Sequence, residues 1–232
     1  MNALATVTVE TGPHPVYTII WLHGLGADGH DFEPLVPELV ERSMPAMRFV
    51  FPHAPVRPVT LNNGYEMRAW YDIVGIDRRS AEDFKGIGET MDSINGLIHR
   101  EHARGIGSDH ILLAGFSQGG AMALHIATRH PDRFAGVIAL SCYLPLSREF
   151  AKVRSTSNQS TPIFMAHGTQ DPVVPYMLGD ETRALLQGAG YNVEWHDYPM
   201  AHQLIEPEIA DLRTWLKRVC AARTGAAAHV GS

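Results

Sequence analysis

Ile111-Leu112-Leu113-Ala114-Gly115-Phe116-Ser117-Gln118-Gly119-Gly120-Ala121-Met122-Ala123-Leu124 runs from a strand pattern directly into a helix pattern, with a serine at the joint. The pentapeptide Gly115 to Gly119 reads as a nucleophile elbow. In such a turn the serine is forced into strained backbone geometry, and small residues two before and two after it let strand and helix pass closely while Oγ projects outward. A bare G-x-S-x-G is weak in a chain with 21 glycines, so the flanks carry the weight. Ile111 to Ala114 are apolar throughout, as in a strand buried on both faces. Ala121, Met122, Ala123, Leu124, Ile126 and Ala127 make the next helix apolar nearly all round, as where a helix packs on a sheet. The competing reading is an ordinary Gly-rich turn.

The 232 residues suit one large α/β domain, since no Pro/Ser/Gly-rich linker divides the periodic segments. We expect that domain over residues 1–221 and a disordered tail over 222–232. A hydrophobic content of 45%, a charged content of 19% and a formal charge of -6 suit a soluble globular protein. They offer no basic surface for nucleic acid. No segment reaches the length of a membrane span, and Met1 to Glu10 lacks a signal-like pattern, so a cytoplasmic protein without integral membrane association is expected. Cys142 and Cys220 match no metal spacing and read as two free thiols. No metal and no cofactor is expected.

Strand patterns fall at Thr6 to Val9, Val16 to Leu22, Met47 to Phe51, His110 to Gly115, Phe134 to Ser141, Pro162 to Ala166 and Tyr191 to Tyr198. Helix patterns fall at Phe32 to Arg42, Ser80 to Ala103 with Ser80 as N-cap, Gly120 to His130, Tyr176 to Gln187 and Leu204 to Ala221. The alternation implies crossover connections and a mostly parallel sheet with helices on both faces. In such sheets the ligand site lies beyond the carboxyl ends of the strands, which places it on the loops beginning at His23, His53, Ser117, Cys142, Gly168 and Pro199. The stretch His53 to Asp77 has no sustained periodicity and reads as a long functional loop.

A serine hydroxyl needs a base to take its proton and a carboxylate to hold that base, in chain order Ser, acid, His. His125 and His130 read as helix-face residues and His196 as a surface residue of the last strand. His167 precedes the best acid and would reverse the order. His202, between the last strand and the last helix, is the expected base. Asp171, in the turn His167-Gly168-Thr169-Gln170-Asp171-Pro172, is the expected acid, with Asp180, Asp197 and Glu206 placed less well. The oxyanion would be met by the backbone N–H of Gln118 and by the glycine-rich loop His23 to Gly29. Gly24, Gly26 and Gly29 also spell G-x-G-x-x-G, but no acidic residue follows in the context a dinucleotide site requires.

With those residues in place, the chain resembles the carboxylesterase and acyl-protein thioesterase family of α/β-hydrolases, also called the phospholipase/carboxylesterase family. The likeness is carried by Leu22 to Gly29, Phe51-Pro52-His53-Ala54-Pro55, Arg68-Ala69-Trp70-Tyr71-Asp72, Gly115 to Gly120, His167 to Pro175 and Pro199-Met200-Ala201-His202. It implies a single-domain α/β-hydrolase fold, a triad of Ser117, Asp171 and His202, and oxyanion donors at the amides of Leu25 and Gln118. The implied activity is a serine carboxylesterase acting on short- to medium-chain acyl esters through an acyl-enzyme. The alternatives are an acyl-protein thioesterase or lysophospholipase, and, in a different class, an inactive hydrolase-fold binding protein. Leu61, Trp70, Tyr71, Tyr143, Leu144 and Val174 are the expected acyl-contact residues, whereas Met177 and Met200 read as packing. The expected partner is a small acyl ester or thioester, and the resemblance admits a homodimer.

Overall fold

A computed structural model describes residues 4–75 and 81–227 of the chain. Among them a seven-stranded sheet runs in the order β1 (Thr6–Glu10), β3 (Met47–Pro52), β2 (Tyr17–Leu22), β6 (Ile111–Phe116), β7 (Gly136–Leu140), β8 (Ile163–Gly168), β9 (Val193–Tyr198). Only β1, at one edge, is antiparallel to its neighbour; every other pairing is parallel. The helices are α1 (Val36–Leu39), α2 (Phe84–Ala103), α3 (Gln118–Ala127), α4 (Phe150–Val153), α5 (Tyr176–Gly188) and α6 (Glu206–Ala227).

The period-2 alternation of the strands sorts their side chains into two cores. Ile20, Leu22, Leu113, Val137, Ala139 and Met165 face one side, where they meet Ile94 and Ile98 of α2, Ala123 of α3 and Leu186 of α5. Ile19, Trp21, Leu112, Ala114, Ile138 and Phe164 face the other, against Val36 of α1 and Leu212, Trp215 and Leu216 of α6. Both faces of the sheet are thus covered, and the central parallel strands β6 and β7 are apolar throughout. All ten residues of α3 are buried, because the helix lies between the sheet and α2.

Several boundaries differ from expectation. Asp83, not Ser80, caps α2: its carboxylate accepts from the Gly86 amide at 2.8 Å, and Ser80 lies outside the described residues. The early helix is broken into a 3-10 turn at Glu33–Leu35 and four α residues, as Pro34 and Pro37 remove two backbone donors. The last helix continues to Ala227, past the expected end at Ala221. The stretch taken for one irregular loop contains a hairpin, β4 (Val56–Val59) with β5 (Tyr65–Arg68), turned by Asn63 and Gly64 at φ of 55° and 76°. No helix among the described residues is long and apolar enough to cross a membrane.

Candidate active site

Parallel strands deliver their carboxyl ends to one rim, and β6 stands near the middle of the sheet. Ser117 follows β6 at φ 54° and ψ −122°, a left-handed conformation that costs a non-glycine residue energy and is held by its surroundings. Its amide donates to the Leu140 carbonyl at 2.8 Å, which fixes the turn to β7. Two glycines permit the approach. A Cβ on Gly115 would overlap the backbone of Gly119, and one on Gly119 would overlap the Leu22 and His23 carbonyls.

Two strands away, β8 ends in the turn that carries Asp171. Its side chain is fully buried; Oδ1 accepts from the amides of Val173 at 2.8 Å and Val174 at 2.9 Å. Oδ2 faces His202 Nδ1 at 2.6 Å, which puts the proton on Nδ1 and leaves Nε2 as the acceptor. The His202 loop is seated on the β8 turn by Gln170 donating to the Met200 carbonyl at 3.0 Å and Thr169 donating to the Tyr198 carbonyl at 2.8 Å. His202 packs against Phe116, the residue before the serine, with ring centroids 4.6 Å apart and the rings tilted by 43°. Its side chain is 13% exposed, so the imidazole is sheltered but reachable. The hydrogen bond from Ser117 Oγ to His202 is not formed among the described residues; in an unliganded site this arm is often long and closes with substrate.

On the opposite flank, β2 leads into His23 to Gly29. Gly24 comes so close that a Cβ there would lie 3.6 Å from Ser117 Cβ. The neighbouring Gly26 amide is already engaged with the Arg68 carbonyl at 2.9 Å, whereas the amides of Leu25 and Gln118 donate to no group among the described residues. The Gln118 amide also opens α3, where the helix dipole adds positive potential. The Gln118 side chain performs a separate task. Its Oε1 accepts from Trp70 N and its Nε2 donates to Tyr71 O, both at 2.8 Å. Trp70 Nε1 in turn donates to the His23 carbonyl at 2.9 Å. His23 itself donates from Nδ1 to the Gly24 carbonyl at 2.7 Å and accepts from the Ala54 amide on Nε2 at 3.1 Å. Burial pulls its pKa down, consistent with that neutral tautomer. This chain of bonds clamps the Gly24-Leu25 segment, and reading Trp70 as a loop aromatic missed it.

Trp70 is 0% exposed and Tyr71, Leu144 and Val174 are buried, so these four of the expected acyl-contact residues offer no open contact surface. Leu61, on the hairpin, is 46% exposed, and Tyr143 is half-buried with its hydroxyl 3.4 Å from that of Tyr71. Met200 packs in the core, but Met177 is 62% exposed on α5 and is no packing residue. His196 is not a free surface group: it is half-buried, stacked on Phe164 at 4.6 Å and bonded to Glu194 at 3.1 Å. Asp180 is taken up by Arg183, and Asp197 by the Tyr176 hydroxyl. Cys142 and Cys220 are both buried, and burial pushes the Cys142 thiol far above its ordinary range, so it is no nucleophile.

A seven-stranded, mostly parallel sheet with helices on both faces and a strained serine at the central strand-to-helix turn defines the α/β-hydrolase fold. The family model described as phospholipase/carboxylesterase matches residues 4–220, and the chain belongs to that family of ester- and thioester-cleaving enzymes. It is 43% identical over 208 residues to acyl-protein thioesterase 1 of Neurospora crassa, covering 86% of this chain and 85% of that protein. It is 38% identical over 240 residues to acyl-protein thioesterase 1 of Mycosarcoma maydis, covering 96% and 100%. Among solved structures, Zea mays acyl-protein thioesterase 2 superposes with a TM-score of 0.83 at 28% identity, over 93% of this chain and 99% of that one. Arabidopsis thaliana SOBER1 gives 0.81 at 30% identity, over 88% and 98%.

Proposed function

We propose that this protein is an acyl-protein thioesterase, a serine hydrolase that cleaves a thioester-linked acyl chain from a protein cysteine. The reading is carried by the Asp171–His202 pair at 2.6 Å on the rim that also presents the strained Ser117. The curated relatives, both named acyl-protein thioesterase 1, support a thioester substrate over the small esters expected from sequence. Ser117 Oγ attacks the acyl carbonyl while His202 Nε2 takes its proton, and the amides of Leu25 and Gln118 receive the oxyanion. The tetrahedral adduct collapses, the C–S bond breaks, and His202 returns the proton to the departing thiolate. Water, deprotonated by the same imidazole, then attacks the acyl-serine, the ester C–O bond breaks, and His202 returns the proton to Ser117 Oγ as the carboxylic acid leaves. We assign the acyl chain to the surface offered by Leu61 and Tyr143 above the Trp70, Tyr71, Leu144 and Val174 wall.

The test pairs labelling with substrate choice. A fluorophosphonate probe should label the folded protein once, with the label lost in Ser117→Ala. A palmitoyl-thioester peptide should be turned over with higher kcat/KM than p-nitrophenyl butyrate. Absence of labelling defeats the hydrolase chemistry, and a preference for the short ester defeats the thioesterase assignment alone.

A further inference from the structure

His167 is the residue of the site that the triad leaves without a task. It is the penultimate residue of β8, is fully buried, and sits four residues before the catalytic carboxylate. Its Nε2 lies 2.9 Å from the Val174 carbonyl and 3.5 Å from Asp171 Oδ2. Both neighbours are acceptors, so the proton resides on Nε2. Nδ1 has no partner among the described residues and faces Gly179 of α5, where a Cβ would overlap it. The ring is further walled by Tyr176 of α5, edge-on at 6.0 Å, and by Trp195 of β9, stacked at 6.3 Å. Burial pulls its pKa down, so it is a neutral donor and not an ion-pair partner of Asp171.

The consequence is mechanical. The amides of Val173 and Val174 grip Asp171 Oδ1, and His167 holds the Val174 carbonyl from behind, so three residues of one turn are locked to one imidazole. The same N–H dipole faces the oxygen that binds His202, which opposes rotation of the carboxylate away from it. We propose that His167 is a positioning residue of the catalytic site: its Nε2–H fixes the 171–174 turn and thereby the orientation in which Asp171 holds His202. The inference rests on the triad assigned above, and it acts on catalysis only through Asp171.

Four variants test it on the full-length protein, with thermal unfolding confirming that each is folded. His167→Leu, which keeps bulk but no donor, should lower kcat by about 10- to 100-fold with KM nearly unchanged, as expected for a misplaced catalytic group. His167→Gln, which carries an N–H at a similar reach, should recover most of that loss. Gly179→Ala, whose methyl group displaces the ring without touching the triad, should lower kcat in the same direction. In an Asp171→Asn background, His167→Leu should cost nothing further, because the route through Asp171 is already cut. A folded His167→Leu enzyme with kcat within about twofold of wild type overturns the proposal. So does a full additional loss in the Asp171→Asn background. If His167→Leu does not fold, the Gly179→Ala and His167→Gln enzymes decide: unchanged kcat in the first, or no difference between ring displacement and donor replacement, overturns it equally. Wild-type protein that resists the fluorophosphonate probe would instead defeat the hydrolase reading and is distinguished on that ground.

Discussion

Replacing Glu208 with glutamine should stabilise this protein at alkaline pH and change its stability near pH 5 by no more than about 1 kcal/mol. Glu208 stands in the first turn of α6, and its side chain is fully buried with neither carboxyl oxygen in a well-formed hydrogen bond. Burial raises its pKa from 4.5 to about 8, with the nearby Ile205 amide pulling back only in part. The folded state therefore holds a proton that the unfolded chain releases near pH 4.5. Stability associated with this group is full below pH 4.5 and is lost as pH rises toward about 8. At ~1.4 kcal/mol per unit the ceiling is about 5 kcal/mol, and relaxation around a buried charge brings the expected effect nearer 2–4 kcal/mol. The buried His23, His125, His130 and His167 work in the opposite sense. Their pKa values are lowered by burial, His125 to about 3, so their contribution is present above about 6.5 and is lost on acidification. Both proteins share that acid-side loss, so the difference between them isolates Glu208. Urea unfolding from pH 5 to 8.5, followed by tryptophan fluorescence, measures it. A difference that stays flat across this range, or a variant less stable at every pH, refutes the argument.

Asp171→Asn should leave the fold intact and lower turnover by about 10³- to 10⁴-fold, because an amide cannot accept from Nδ1–H in the same way and the imidazole is held in the wrong tautomer; steady-state kinetics checks it, and unchanged turnover would move the acid elsewhere. Gly119→Ala should destabilise by about 3 kcal/mol or more and abolish labelling of Ser117, since its methyl group would overlap the Leu22 and His23 carbonyls; a stable, labelled variant in thermal melts would show that the elbow is looser than the geometry implies.

What could be read in advance divides along physical lines. The strand and helix alternation, the strained turn at Ser117 and the pairing of Asp171 with His202 were legible because each rests on local chemistry: a period of two, a glycine pair, a turn that stops a strand. The hairpin at Val56–Arg68 carried a usable signal, Asn62-Asn63-Gly64 between two four-residue runs, but Pro58 and the lone charges of Arg57 and Glu66 obscured the alternation. The α2 start was misplaced because Ser80 and Asp83 are both good caps, and only the fold shows Asp83 bonded to Gly86. The roles of Trp70 and His167 were not legible at all. Each is decided by a partner brought in by tertiary structure, the Gln118 amide and the His23 carbonyl for one, the Val174 carbonyl and Gly179 for the other.

That last pair says how the site is built. The proposed catalytic groups sit on three loops from β6, β8 and β9 with the proposed oxyanion loop on β2, so the sheet brings them to one rim but fixes none of them to better than a loop's freedom. Catalysis needs tighter placement than that. In this chain the added constraint comes from buried polar groups behind two of these loops: the Gln118 side chain and Trp70 behind Gly24-Leu25, and His167 behind Asp171. A histidine and a tryptophan that are fully enclosed yet hydrogen-bonded to backbone carbonyls would be costly choices for a core filled by aliphatic residues alone. Their presence beside the two loops whose backbone must not drift, on either side of Ser117, is the arrangement expected if their task is to hold donors and carboxylate still while the serine reacts.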